Sequence, residues 1–289
     1  MNNVAFQYND EPYLINFNKI NRKFDSFKNE AINTARYIRS QTTRPIFVAM
    51  SGGIDGEFIA RIFLEAGVDF TAFSVRYENK ENEHDLIYCT NFTKKYNIKH
   101  IIVEVESKYL FQDKVFEYLE QGYSANNIFR YLQLFLLENI EKMKGCAVLG
   151  SGNLMFQNIK GTTCVRYPKD ILVPCKWIEN NKTLHFPYFF QTNPELIASY
   201  LENELIKLLT SNTSYFTEAH KVKTMFDAYS LEKILLYHSI FPDMEKRRKF
   251  NGFKLITLER EIIENFLKQR KMLKIINMPV STIRQQLNI

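Results

Sequence analysis

The chain has 289 residues, 45% of them hydrophobic and 24% charged, with ten Gly and eight Pro; that balance excludes wholesale disorder and a linker- or collagen-like chain, and the length favours about two domains. The formal net charge of +6 is uneven: residues 246–274 hold ten Lys/Arg against three Glu, a net +7, so the rest of the chain nets −1. Such a local excess fits a nucleic-acid surface, a polyphosphate wall or a solvated face, and charge alone does not choose among them.

The opening MNNVAFQYNDEPYLINFN lacks the basic start and apolar stretch of a secretory signal. No apolar run approaches the roughly 20 residues that span a bilayer, so a cytoplasmic location without membrane contact is expected. Residues 1–44 read as a lead-in with a helix near 24–39. Residues 46–50, after Pro45, form a short apolar run that predicts a buried strand. Phe58, Ile59, Ile62, Phe63 and Ala66 recur at helical spacing, and Gly67 is placed to end that helix. A second strand is predicted over 70–75, a helix over 82–96 and a third strand over 100–105. Ser124 is placed to cap a long helix whose stripe is Ile128, Tyr131, Leu132, Phe135, Leu136 and Ile140. Residues 147–149 read as a fourth strand. Strands alternating with helices imply an α/β fold with a parallel sheet and right-handed crossovers.

The pattern then changes. Residues 171–177 and 183–186 flank an Asn-Asn turn and predict a hairpin. From Asn193 the reading is helical, with Asn193 as cap and Pro194 at the first helical position. Further helices are expected near 216–227, 230–240 and 257–271. The division that follows is a helical lead-in over 1–44, an α/β domain over 45–190 and a helical C-terminal part over 191–289.

The most informative segment is Ser51-Gly52-Gly53-Ile54-Asp55-Gly56-Glu57. It lies where the first parallel strand passes into a helix, at the sheet edge where open parallel sheets bind ligands. Gly52 and Gly53 let the backbone approach a ligand, and consecutive N–H groups at a helix start form an anion nest. Ser51 adds a hydroxyl donor. Asp55 beside the nest repels phosphate unless a cation intervenes, which points to a magnesium nucleotide with Asp55 as metal ligand. The segment is neither a Walker A loop nor GxGxxG; the bland alternative is a strand–helix turn that uses glycine for geometry alone.

SGGIDGE resembles the PP-loop, SGGxDS, of the ATP pyrophosphatases. These include asparagine synthetase, GMP synthetase, NAD synthetase, 7-cyano-7-deazaguanine synthase, tRNA-lysidine synthetase and tRNA thiolation enzymes. The resemblance implies a Rossmann-like PP-loop domain over 45–190 that binds ATP and Mg²⁺ and cleaves ATP between its α- and β-phosphates. AMP then passes to a substrate oxygen and pyrophosphate leaves. Gly56 stands where the family has a second Ser, so one hydroxyl donor to pyrophosphate is missing. The same likeness puts the fourth strand on the far side of the first, so that Gly150-Ser151-Gly152-Asn153 faces the SGG loop. This resembles the small-residue loop of asparagine synthetase-like domains, which carry an Asp-Glu pair nearby; here Leu154-Met155 follow. Phe73-Ser74-Val75-Arg76 matches the strand whose backbone reads adenine, and Tyr77 beside it is assigned to core packing. The stretch around Leu231-Glu232-Lys233, followed by Phe241-Pro242, is similar to the family's C-terminal helix. There a lysine stabilises the pentavalent phosphorus and the leaving pyrophosphate, a role that falls by position on Lys233. Lys160, Arg248 and the rest of the run 246–249 are further candidate phosphate contacts, with a solvated face as the alternative.

Three functions follow. The first is an AMP-forming ligase acting on a small-molecule acceptor, asparagine synthetase-like. Asn2 stands where a glutaminase has Cys, so ammonia would come from solution or a partner. The second is a tRNA- or nucleobase-modifying enzyme on the same fold. Sulfur transfer usually needs a cysteine pair, and Cys89, Cys146, Cys164 and Cys175 form none in sequence, although distant cysteines can meet in space. The third is a nucleotide-binding module without turnover, favoured by Gly56 and the missing Asp-Glu pair. His84, His100, His185, His220 and His238 show no metal or triad spacing and read as structural.

Overall fold

A computed structural model describes residues 4–9, 11–78, 80–125, 127–211, 231–244 and 275–289. The chain opens on a hairpin, β1 (Phe6–Asn9) and β2 (Leu14–Phe17), in antiparallel register with Phe6 opposite Phe17. The lead-in is therefore not helical throughout. In β2, Ile15 and Phe17 turn inward between exposed Leu14 and Asn16, a period-2 pattern that two four-residue strands show only weakly. α1 (Phe27–Gln41) follows, capped by Ser26, whose hydroxyl accepts the Asn29 N–H.

The α/β unit is β3 (Ile46–Ala49), α2 (Ile54–Glu65), β4 (Thr71–Tyr77), α3 (Glu83–Lys95), β5 (His100–Val105), α4 (Lys114–Glu120), α5 (Ile128–Lys142) and β6 (Cys146–Val148). Its sheet is parallel in the order β5-β4-β3-β6, with Ala49 opposite Phe73 and Val48 opposite Val148. β3 is central and buried on both faces. Ile46 and Val48 enter one apolar cluster and Phe47 enters the other, so an uninterrupted apolar run is what this position needs. The chain steps from β3 to β4 on one side and returns to β6 on the other. The loops after β3 and β6 therefore face each other at a topological switch point. Asn127, not Ser124, caps α5: its side chain accepts the Phe129 N–H at 3.0 Å.

Beyond β6 come β7 (Phe156–Ile159), β8 (Thr162–Pro168), α6 (Val173–Asn180), α7 (Pro194–Leu201), α8 (Glu204–Ser211), α9 (Leu231–Ile240), β9 (Ile275–Pro279) and α10 (Val280–Leu287). Residues 171–177 and 183–186 do not make the expected hairpin. Pro174 sits in the first turn of α6, where a fixed φ and a missing N–H cost nothing. Val173, Cys175, Trp177 and Ile178 are buried there, and Phe186 makes only an isolated parallel bridge to Val148. The hairpin of this region is β7–β8, and β9 extends it to three strands, so the C-terminal part is not wholly helical. α9 matches the helix expected over 230–240. The helices expected near 216–227 and 257–271, together with Arg248 and the basic run 246–249, lie outside the described residues. A single apolar cluster joins Phe6, Ala31, Phe58, Leu196, Tyr237 and Ile283. Among the described residues no helix is long and apolar enough to cross a membrane.

Candidate active site

β3 ends where the Met50 N–H donates to the Phe73 carbonyl (2.9 Å) and Ser74 Oγ donates to the Met50 carbonyl (2.6 Å). The chain then turns through Gly52 at φ +89°, where a Cβ would stand 2.1 Å from the Asp85 carbonyl oxygen. Only glycine fits, because the first turn of α3 is seated against this loop. Gly53 begins α2 and offers no side chain, so none caps the helix's first turn; its N–H groups and the dipole favour an anion. The second loop closes on the first: a Cβ on Gly150 would lie 3.4 Å from both the Asp55 Cβ and the Gly56 nitrogen.

Between the loops lies a cavity of about 380 Å³. Ser51, Gly53, Asp55 and Gly56 form one wall, and Leu149, Gly150 and Ser151 form another. Phe73, Ser74, Val75 and Tyr77 of β4 form the back, with Asn82 and Asp85 beside them. Asn127, Phe129, Arg130, Leu132, Gln133 and Leu136 of α5 and its cap complete it. The wall mixes apolar side chains, among them Phe73, Leu132 and Leu136, with polar groups of both loops, as in a small-molecule site.

Asp55 is the junction of the site. Lys233 Nζ donates to its two oxygens at 2.9 and 3.1 Å, and Tyr237 OH donates to Oδ1 at 2.9 Å. Tyr237 OH also lies 3.1 Å from Asn153 Oδ1, which ties in the second loop. The Tyr237 ring stacks on Phe58 with centroids 4.1 Å apart, so α9 lies along α2.

Most of the residues expected at the site come together. Ser51, Gly53, Asp55, Gly56, Ser74, Gly150 and Ser151 share the cavity wall. Gly52 packs behind it, and Lys233 reaches Asp55 from α9. Ser74 contributes backbone, since its hydroxyl is held by Met50 O and lies 2.8 Å from His100 Nε2. On the β4 edge assigned to adenine, the Val75 carbonyl accepts from Asn82 Nδ2 (2.7 Å) and the Tyr77 N–H donates to Asn82 Oδ1 (3.0 Å). Tyr77 lines the cavity and also packs against Phe111. Lys160 does not join the site: it is exposed in the β7–β8 turn at φ +51° and is absent from the cavity wall.

Sequence reasoning missed Arg130, Gln133, Asn82 and Asp85. The Arg130 guanidinium donates to Gln133 Oε1 (3.0 Å), and its Nε lies 3.5 Å from Asp170 Oδ1. Gln133 Nε2 in turn donates to Ser151 Oγ. Burial opposes the Arg130 charge, but Tyr188 and Asp170 outweigh it and hold the guanidinium protonated. One signal was available: Arg130 is the sole cation in the apolar stretch 128–137.

Asp55 and Asp85 are the carboxylates of the cavity wall. No group of three or more metal-binding side chains occurs among the described residues. Mg²⁺ is usually held by one or two carboxylates with phosphate oxygens and water, so this donor set fits a metal that arrives with a nucleotide. All four cysteines are buried, and none lines the cavity. Burial pushes the Cys146 and Cys175 thiols up to about 12, so these two are not thiolates near neutral pH.

Residues 44–128 match the family model described as the tRNA methyl transferase HUP domain. That span runs from before β3 to the first residue of α5. Among solved structures, the chain is similar to NMN synthetase from Francisella tularensis (15% identity, TM-score 0.35, 85% of this chain and 92% of that one). It is also similar to the NH3-dependent NAD synthetase from Campylobacter jejuni (12%, 0.35, 85% and 93%). A third match is the glutamine-dependent NAD+ synthetase from Acinetobacter baumannii (13%, 0.36, 97% and 49%). No curated protein matches the chain. Residues 44–128 thus form a HUP domain of the PP-loop type. The matched span holds the SGGIDG loop, in keeping with its likeness to a PP-loop.

Proposed function

We propose that this chain is an AMP-forming ligase: it binds Mg-ATP in the cavity, adenylates a substrate oxygen and releases pyrophosphate. The observation that carries the reading is the junction of the SGGIDG loop, the Gly150-Ser151 loop and Lys233 around Asp55. A substrate oxygen attacks the α-phosphorus, the bond between the α-phosphorus and its bridging oxygen breaks, and that oxygen leaves with pyrophosphate. A nitrogen nucleophile then displaces AMP, as in an asparagine synthetase-like reaction. Ammonia from solution or from a partner serves as well as an amine substrate.

The first-turn N–H groups of α2 and the Ser51 hydroxyl are placed to receive the pyrophosphate. Lys233 is placed to offset charge that grows on the phosphate oxygens, a contact that strengthens in the transition state. Arg130 supplies a second fixed cation across the cavity. The apolar lining residues Phe73, Leu132 and Leu136 suit a nucleobase. Mg²⁺, held by Asp55 with phosphate oxygens, would neutralise part of the pyrophosphate charge.

At Gly56 a Cβ would meet the Ala49 carbonyl oxygen at 3.2 Å and Met50 Cα at 3.3 Å. A serine there fits only if the end of β3 gives way, so the missing hydroxyl has to come from Ser51 or Ser151. The test is product analysis with Mg-ATP and a panel of carboxylate and amide-oxygen acceptors. AMP and pyrophosphate are expected; ADP and phosphate would contradict the reading.

A second reading is modification of tRNA or a nucleobase by the same adenylation, favoured by the tRNA in the description of the matching family model. The buried cysteines weigh against its sulfur-transfer form. Adenylation of RNA but of no small acceptor supports it. ATP binding without pyrophosphate release from any acceptor supports a nucleotide-binding module.

A further inference from the structure

One face of α2 meets α9 and its exit at three successive positions. Asp55 takes Lys233 and Tyr237, and Phe58 stacks on Tyr237 and edges Phe241 at 5.6 Å. Arg61 binds Asp243, its Nη1 lying 2.8 and 3.0 Å from the two carboxylate oxygens. The first contact is in the site. The last lies six residues along α2, about 9 Å up the helix axis, and away from the cavity wall.

We propose that Arg61 and Asp243 are a positioning pair, an outer latch that seats α9 on α2 and so holds the Lys233 ammonium against Asp55. For its consequence in nucleotide binding, this rests on the reading of the site proposed above.

Arg61 is an unusual residue to spend on packing. Its side chain is 8% exposed, and a buried guanidinium is stable only when paired. Glu57 on the same helix supplies one partner, with Oε1 at 2.8–2.9 Å. The rings of Phe92, Tyr96 and Phe241 surround the guanidinium at 5.5–5.8 Å. The remaining fork is filled by Asp243, which arrives only when the exit of α9 is docked. Lys95, 3.4 Å from the same carboxylate, adds a second cation to it. The latch therefore links the docking of a segment far along the chain to the placement of Lys233 on Asp55. Asp243 itself is 55% exposed and Glu57 stays on Arg61 when it is altered, so Asp243→Asn removes the cross-helix partner without leaving the guanidinium unpaired. Neither latch residue touches the cavity; both act through Lys233.

The test uses the full chain. Lys233 is labelled with an amine-reactive ester and its modification rate read by mass spectrometry, in wild type, Asp243→Asn and Asp243→Glu, with circular dichroism to show the fold retained. Asp243→Asn should label several-fold faster at Lys233, and Asp243→Glu should restore protection. An unchanged Lys233 rate in Asp243→Asn overturns the latch. A nucleotide arm measures Mg-ATP affinity by calorimetry. Asp243→Asn should weaken binding in the wild-type background and add nothing once Lys233→Met is present. Equal loss in both backgrounds would mean that Asp243 acts independently of Lys233 and overturns the positioning role. If wild type binds no Mg-ATP, the proposed function falls, and the labelling rates alone decide the latch.

Discussion

Asp55 faces three ways at once: towards the cavity, towards Lys233 and towards Tyr237. Asp55→Ala should weaken Mg-ATP binding by tenfold or more, about 1.4 kcal/mol, in a calorimetric titration; an unchanged affinity would remove the assignment of the site. Lys233→Ala should lower the rate of pyrophosphate release more than it lowers ATP affinity, because its contact belongs to the transition state. Equal losses in steady-state kinetics and in binding would make Lys233 a ground-state contact instead. Gly52 tests the loop itself. Gly52→Ala places a Cβ 2.1 Å from the Asp85 carbonyl at φ +89°, whereas Gly67→Ala, at φ +66°, meets nothing within 4 Å. Urea unfolding should therefore show a loss of about 2–4 kcal/mol for the first and about 1 kcal/mol for the second. Equal losses would mean that α3 is not seated on the loop. The loop was legible in sequence because two glycines, a hydroxyl and a carboxylate crowd into five residues after an apolar run. Arg130 was not, since its role depends on which face of α5 turns to the cavity, and that is settled by packing.

Among the elements, β6 carries a buried titration site. His185 Nδ1 accepts the Ala147 N–H at 3.0 Å, and Nε2 lies 3.1 Å from Glu141 Oε2. Burial lowers the imidazole from 6.5 to about 4, with Glu141 opposing only in part. A proton on Nδ1 would also break the Ala147 bond. The unfolded chain binds that proton first, so the stabilisation is complete above about pH 6.5 and is lost as pH falls towards 4. Wild type should lose up to about 3 kcal/mol through this group, measured as urea midpoints across the window. His100, lowered by burial and by Arg76, adds a loss of the same sign. His185→Gln should flatten the His185 part; an unchanged pH slope would contradict the assignment. Glu138 acts in a lower window. Burial raises it, but hydrogen bonds from Lys142, Tyr118 and Lys114 outweigh that and hold it at about 2. Its contribution is present above about 4.5 and is lost as pH falls towards 2. The segment 171–177 shows why element type was misread. An apolar run of this length serves a buried helix as well as a strand, and here the first-turn proline and the buried side chains of α6 decided for the helix.

At the scale of the whole molecule, alternating strands and helices made a parallel sheet legible, and the PP-loop likeness supplied the place of the fourth strand in the order β5-β4-β3-β6. The short strands at both ends of the chain were not. β1, β2 and β9 have four or five residues each, and β9 pairs with β8 across more than a hundred residues of sequence. The same long-range closure brings α9 to the PP-loop, and the site depends on it: Asp55 and Lys233 are 178 residues apart. Calorimetric titration of the intact chain with Mg-ATP, in wild type and in Gly150→Leu, tests the central claim most directly. The Leu side chain would start 3.4 Å from Asp55 and fill the space between the two loops. Wild type should bind, and the variant should lose at least tenfold in affinity with the fold retained. No binding in wild type, or equal affinity in both, would contradict it.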